Sequence, residues 1–148
     1  MSWDPSQYLK FSNQRLRPAL DLLAQVPAAA PGTVVDLGCG AGNVTRFIAE
    51  RWPAARVTGV DSSPEMLDKA RQALPALIWQ QSGIGAWRAA GKVDVLYSNA
   101  ALHWLPDHPA LFAGLLDQLA PGGVLAVQMP RNFAAPSHAG MDQALDGL

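Results

Sequence analysis

Cysteine is nearly missing from this sequence: Cys39 stands alone among 148 residues. A single thiol closes no internal disulfide and builds no cysteine-based zinc site. Histidine is scarce as well. His103, His108 and His138 share no metal-ligand spacing, so no metal is expected. Charge is thin, with 16% of residues charged, a formal net charge of −1 and no basic stripe. Duplex nucleic acid is therefore not an expected partner. No apolar run reaches the roughly 18 residues that cross a bilayer, so no membrane partner is expected either. The opening Met1-Ser2-Trp3-Asp4-Pro5 has no basic region feeding an apolar one. No secretory leader is expected, and the expected compartment is the reducing cytoplasm. Internal repeats and low-complexity segments are also lacking.

What is present is a globular composition, 49% apolar, in a length that suits one domain. The expected division is an N-terminal arm and helix over 1–30, a core sheet over 31–130 and a tail over 131–148. The most informative stretch is Val34-Val35-Asp36-Leu37-Gly38-Cys39-Gly40-Ala41-Gly42-Asn43. A buried strand runs into an acid, three glycines follow at alternate positions, and a helical pattern starts at Val44. Such a loop lets the backbone approach a ligand closely. Its acid suits a nucleoside cofactor bearing an ammonium or hydroxyl group better than a naked polyphosphate.

The rest of the chain alternates. Leu16, Ala19, Leu20 and Leu23 fall at helical spacing, with Pro18 in the first turn. The helix after the loop buries Val44, Phe47 and Ile48 and stops at Pro53. A second strand, 56–60, ends at Asp61. Ser62 and Glu65 read as a capping box for a helix that buries Met66, Leu67, Ala70 and Leu74. Weak strand 77–80 leads to the loop Ser82-Gly83-Ile84-Gly85, and strand 93–98 leads to Asn99. Asp107 caps a helix whose core face is Leu111, Phe112, Leu115, Leu116 and Leu119; Gly122-Gly123 then turns into strand 124–129. This order predicts an α/β doubly wound fold, a parallel sheet of about five strands with helices on both faces. Strands two and four then flank strand one. Asp36, Asp61, Gly83 and Asn99 all follow strand ends and converge on the ligand rim of such a sheet.

Two cofactor classes use this architecture. A dinucleotide loop, G-x-G-x-x-G, would place its third glycine at position 43, which is Asn43; here it comes at Gly42. That spacing, with Asp36 before the loop and Asp61 closing strand two, favours S-adenosyl-L-methionine. The segments VVDLGCGAGN, GVDSSPEML and SNAALHWLPDH resemble the class I S-adenosylmethionine-dependent methyltransferases, a likeness that runs to about Ser137.

The resemblance implies a Rossmann-like methyltransferase fold with a residue-by-residue site. Gly38, Cys39, Gly40 and Gly42 would lie along the methionine and ribose, and Asp36 would hold the loop and help receive the ammonium. Asp61 would bind the ribose hydroxyls, with Ser62, Met66, Gly83 and Ile84 along the adenosine and Asn99 near the sulfonium. His103 and Trp104 would edge the acceptor side. The implied acceptor is a carboxylate of a small polycarboxylic acid, which is already ionised at neutral pH. In-line displacement then needs positioning and no dedicated general base, so no catalytic residue is assigned. Arg15, Arg17 and Arg131, with Tyr8 as donor, are the candidates to hold the polyanion. Two alternatives stand: an acceptor that is a carrier-bound acyl group or a quinone precursor, and an inactive cofactor-binding module. Family chains usually carry an acid at the position of Gly83 and continue into a final strand pair, which this sequence is expected to lack. The exposed edge of strand five would then offer a surface for self-association.

Overall fold

The computed structural model describes residues 16–99 and 106–128. Nine elements follow in order: α1 (Leu16–Gln25), β1 (Thr33–Leu37), α2 (Thr45–Arg51), β2 (Arg56–Asp61), α3 (Pro64–Ala73), β3 (Ile78–Gln81), β4 (Val93–Asn99), α4 (His108–Asp117) and β5 (Leu119–Gln128). The strands form one sheet in the order β3-β2-β1-β4-β5, and every pairing is parallel. The doubly wound fold read from the alternation is therefore the observed one, with β2 and β4 beside β1.

Side-chain alternation along β1 and β4 sends successive residues to opposite faces. On one face Val34, Val57, Val95 and Tyr97 meet Leu20 and Leu23 of α1 and Phe47 and Ile48 of α2. On the other, Val35, Leu37, Val60 and Leu96 meet Leu115 of α4 and Trp87. Trp87, 2% exposed, is thus a core residue. One lateral row ties the first face together. Trp79, Gly59, Asp36, Tyr97 and Ala126 are successive register partners across all five strands. The Tyr97 hydroxyl donates to the Ala19 carbonyl of α1 (2.7 Å), Asp36 accepts from Thr45 of α2 (2.7 Å), and Trp79 donates to the Leu74 carbonyl at the end of α3 (3.0 Å). Three helices are each fastened by one polar contact from a single row.

Several local expectations are corrected. The cap of α3 is Ser63, not Ser62: its hydroxyl accepts from the Met66 N–H at 3.3 Å. With Ser63 as cap, Glu65 stands at the second helical position and Met66 at the third, so the expected Ser62–Glu65 capping box is not formed; Asp61 Oδ1 instead accepts from the Ser63 N–H at 2.9 Å. Met66 is 38% exposed and lies off the buried face of α3. Leu119 belongs to β5, opposite Val93, and Leu116 is 41% exposed. β5 opens with Leu119, and its register jumps between the Leu119 and Val124 pairings, so Gly122, at φ +78°, falls within an interruption of β5 and not ahead of it.

Candidate functional site

Because all strands are parallel, Leu37, Asp61, Gln81, Asn99 and Gln128 end on one rim. The glycine loop rises there between β1 and α2. Gly38, Gly40 and Gly42 all have positive φ, +77°, +56° and +87°. That is why glycine recurs at alternate positions: an L side chain in this region costs roughly 1–2 kcal/mol.

Four of the loop amides are already committed. Gly38 and Cys39 N–H both donate to the Val60 carbonyl, at 2.7 and 3.0 Å, and Gly42 N–H donates to the Cys39 carbonyl at 3.1 Å. Gly40 N–H donates to Asp61 Oδ2 at 2.8 Å. Four N–H groups that could cradle a phosphate are thus spent within the protein. What faces the rim is electron-rich instead. Asp61 clamps the loop and, as a carboxylate, keeps spare acceptor sites for hydroxyls. Asn99 Oδ1, at the end of β4, is buried with no hydrogen-bond partner among the described residues. A buried orphan acceptor is costly and marks a place for a donor. An acid and an amide oxygen unpaired among the described residues suit a cationic, hydroxyl-bearing ligand better than a polyphosphate.

Asp36 lies beneath, 2% exposed. Burial pushes its pKa up to about 7, against the Thr45 hydrogen bond that lowers it, and the nearby Asp61 charge adds to the rise. Cys39, 8% exposed, has its thiol pushed up by burial and by the Asp36 and Asp61 charges, which makes it an unreactive turn residue. Burial and then Asp36 likewise raise Tyr97, keeping its hydroxyl a donor.

Of the residues expected to bind a cofactor, Gly38, Cys39, Gly40, Gly42, Asp61, Ser62, Gly83, Ile84 and Asn99 sit on or just beyond the rim ends of β1 to β4, and Asp36 lies beneath the rim within β1. Met66 is exposed in the first turn of α3. A Cβ built at Gly83 would meet nothing within 4 Å, so the position has room for the acid that family chains usually carry there. Arg17 is exposed on α1 and pairs loosely with Asp21 at 3.9 Å. Tyr8, Arg15, His103, Trp104 and Arg131 lie outside the described residues. Sequence reasoning missed Thr45, whose signal was only a hydroxyl at a helix start, and Arg46. Arg46 lines a cleft of about 500 Å³ behind the loop with Leu16, Ala41, Gly42, Asn43 and Leu74. Among the described residues no group of three or more His, Cys, Asp or Glu could hold a metal ion, and no helix is long and apolar enough to cross a membrane.

Residues 34–123, covering the loop and most of the sheet, match the profile of a family described as a methyltransferase domain, and the chain belongs to that family. Over 137 residues it is 58% identical to the trans-aconitate 2-methyltransferase of Azoarcus sp. (strain BH72), covering 93% of this chain and 54% of that protein. It is 52% identical over 136 residues to the trans-aconitate 2-methyltransferase of Escherichia coli (strain K12 / DH10B), covering 92% of this chain and 54% of that protein. A crystal structure of an S-adenosylmethionine dependent methyltransferase from Mesorhizobium loti superposes with a TM-score of 0.68 at 31% identity, over 79% of this chain and 54% of that one. The chain spans about half the length of the curated relatives it matches.

Proposed function

We propose that this chain carries the methyl-donor site of a carboxyl O-methyltransferase, with S-adenosyl-L-methionine as donor and a small polycarboxylate such as trans-aconitate as acceptor. The observation that carries the reading is the Asp61–Gly40 clamp at 2.8 Å, with Asn99 Oδ1, unpaired among the described residues, on the same rim. Asp61 would hold the ribose hydroxyls, Asp36 and the loop the methionine end, and Asn99 a donor near the sulfonium. Ser62, Met66 and Ile84 would border the adenosine. When bound, the sulfonium donor would supply an activated methyl group for in-line transfer to a carboxylate oxygen of the acceptor, with the thioether as leaving group. The acceptor is ionised at neutral pH, so the protein's part is orientation and charge pairing. Arg15, Arg17 and Arg131 are proposed for that pairing, with Tyr8, His103 and Trp104 along the acceptor side. The proposed setting is the cytoplasm, in one domain over 1–148, and the edge of β5 is a proposed self-association surface.

The resemblance in SNAALHWLPDH also supports a second acceptor class, a carrier-bound acyl group or quinone precursor. Methyl-labelled donor offered with a panel of di- and tricarboxylates separates the readings. Label in a base-labile ester of trans-aconitate is the expected result. Donor binding with no transfer to any acid would support a cofactor-binding module instead.

A further inference from the structure

Trp79 lies under the glycine loop. It is the register partner of Gly59 on β2, which is in turn the partner of Asp36 on β1, so the three side-chain positions share one face. The missing side chain at Gly59 makes room for the indole. A Cβ there would sit 2.4 Å from Cζ3 and 2.5 Å from Cε3 of Trp79. The far edge of the same ring reaches the loop: a Cβ on Gly42 would sit 3.1 Å from Trp79 Cη2. Leu74 and Ala70 of the α3 side close in at 3.4 and 3.6 Å from that point. Trp79 Nε1 donates to the Leu74 carbonyl at 3.0 Å, which fixes the ring in its plane.

The two halves of the loop are held by different means. Gly38, Cys39 and Gly40 are bonded through their N–H groups to Val60 and Asp61 of β2. Gly42, at φ +87°, rests on the indole edge and passes directly into α2, where its carbonyl accepts from Arg46 N–H at 3.3 Å. We propose that Trp79 is a positioning residue for the ligand loop: wedged between Gly59 and Gly42 and oriented by Leu74, the indole sets the height of Ala41-Gly42-Asn43. The consequence for ligand affinity rests on the cofactor reading above; the mechanical role does not.

Amide hydrogen exchange on the whole chain tests the role, comparing Trp79→Leu and Trp79→Phe with Leu23→Ala, a core truncation on α1. Phe is too short to reach Gly42, so both Trp79 variants should loosen the loop, and Trp79→Phe carries the comparison if Trp79→Leu does not fold. At matched distance below each variant's melting temperature, exchange over Gly40–Asn43 should be about tenfold faster in the Trp79 variants than in Leu23→Ala, with β4 amides alike in both. Loop exchange that tracks melting temperature alone in every variant would overturn the proposal. Titration with S-adenosylhomocysteine reads the consequence, an affinity about tenfold weaker in the Trp79 variants and little changed in Leu23→Ala. A wild-type chain that binds none of it contradicts the cofactor reading, and the exchange comparison still decides the role of Trp79.

Discussion

Asp36 is a carboxylic acid sealed into the sheet, and its chemistry is set by burial. Its pKa is pushed up to about 7 from a reference of 3.8, so the folded chain holds the proton more tightly than the unfolded one. The sign follows: the stability this proton lends is fully present below about pH 4 and is lost as pH rises through about 7. Asp36→Asn keeps an oxygen for the Thr45 hydroxyl and cannot ionise. Urea unfolding at about pH 5 and about pH 8 should show the variant gaining on wild type at the higher pH, by on the order of 1–4 kcal/mol. Parallel pH slopes would contradict this. Asp36 and the three glycines were legible in the sequence because an acid at a strand end, followed by glycines at alternate positions, has few other uses. Thr45, Ser63 and Trp79 were not. Their roles depend on which atoms the register brings together, and a hydroxyl at a helix start or an indole in a weak strand looks the same in many settings.

At the level of elements, the helices were readable where apolar spacing was strict, as in Leu16, Ala19, Leu20 and Leu23, and misread where it was not. Apolar residues fill both sides of α4, so periodicity gave no stop before Leu119. The actual stop is local: Gln118 N–H bonds back to the Leu115 carbonyl, and Lys92 Nζ takes the Asp117 carbonyl at 2.6 Å. α1 ends by a device the sequence did not announce. Arg51 of α2 donates to the Leu23 carbonyl and, at 2.7 Å, to the Val26 carbonyl, with its guanidinium 4.4 Å above the Trp52 ring. Arg51→Ala leaves both carbonyls without that fork and should cost about 1–3 kcal/mol in thermal unfolding. Arg51→Lys should recover only part, since a single ammonium lacks the planar fork and the stacking. An unchanged melting temperature in Arg51→Ala would remove Arg51 from this role.

For the whole molecule, the placing of β2 and β4 beside β1 followed from alternation and connection rules, because parallel strands with short connections have few ways to wind. The same rules put Asp61 and Asn99 on one rim, whereas Asp36, also expected there, lies beneath it within β1. What they could not give is the state of that rim: four loop amides spent within the protein, an Asn99 oxygen unpaired among the described residues, and one lateral row fastening three helices. Those features turn a glycine loop from a generic ligand signal into a site that favours a cation with hydroxyls over a phosphate. Calorimetric titration with S-adenosylhomocysteine, for the wild-type chain and for Asp61→Ala and Gly40→Val, tests that claim most directly. Saturable binding at one site per chain is expected, weakened by about tenfold or more in both variants through the lost ribose acceptor and the strained loop. Absence of binding to the folded wild-type chain, or binding that both variants retain in full, would contradict it.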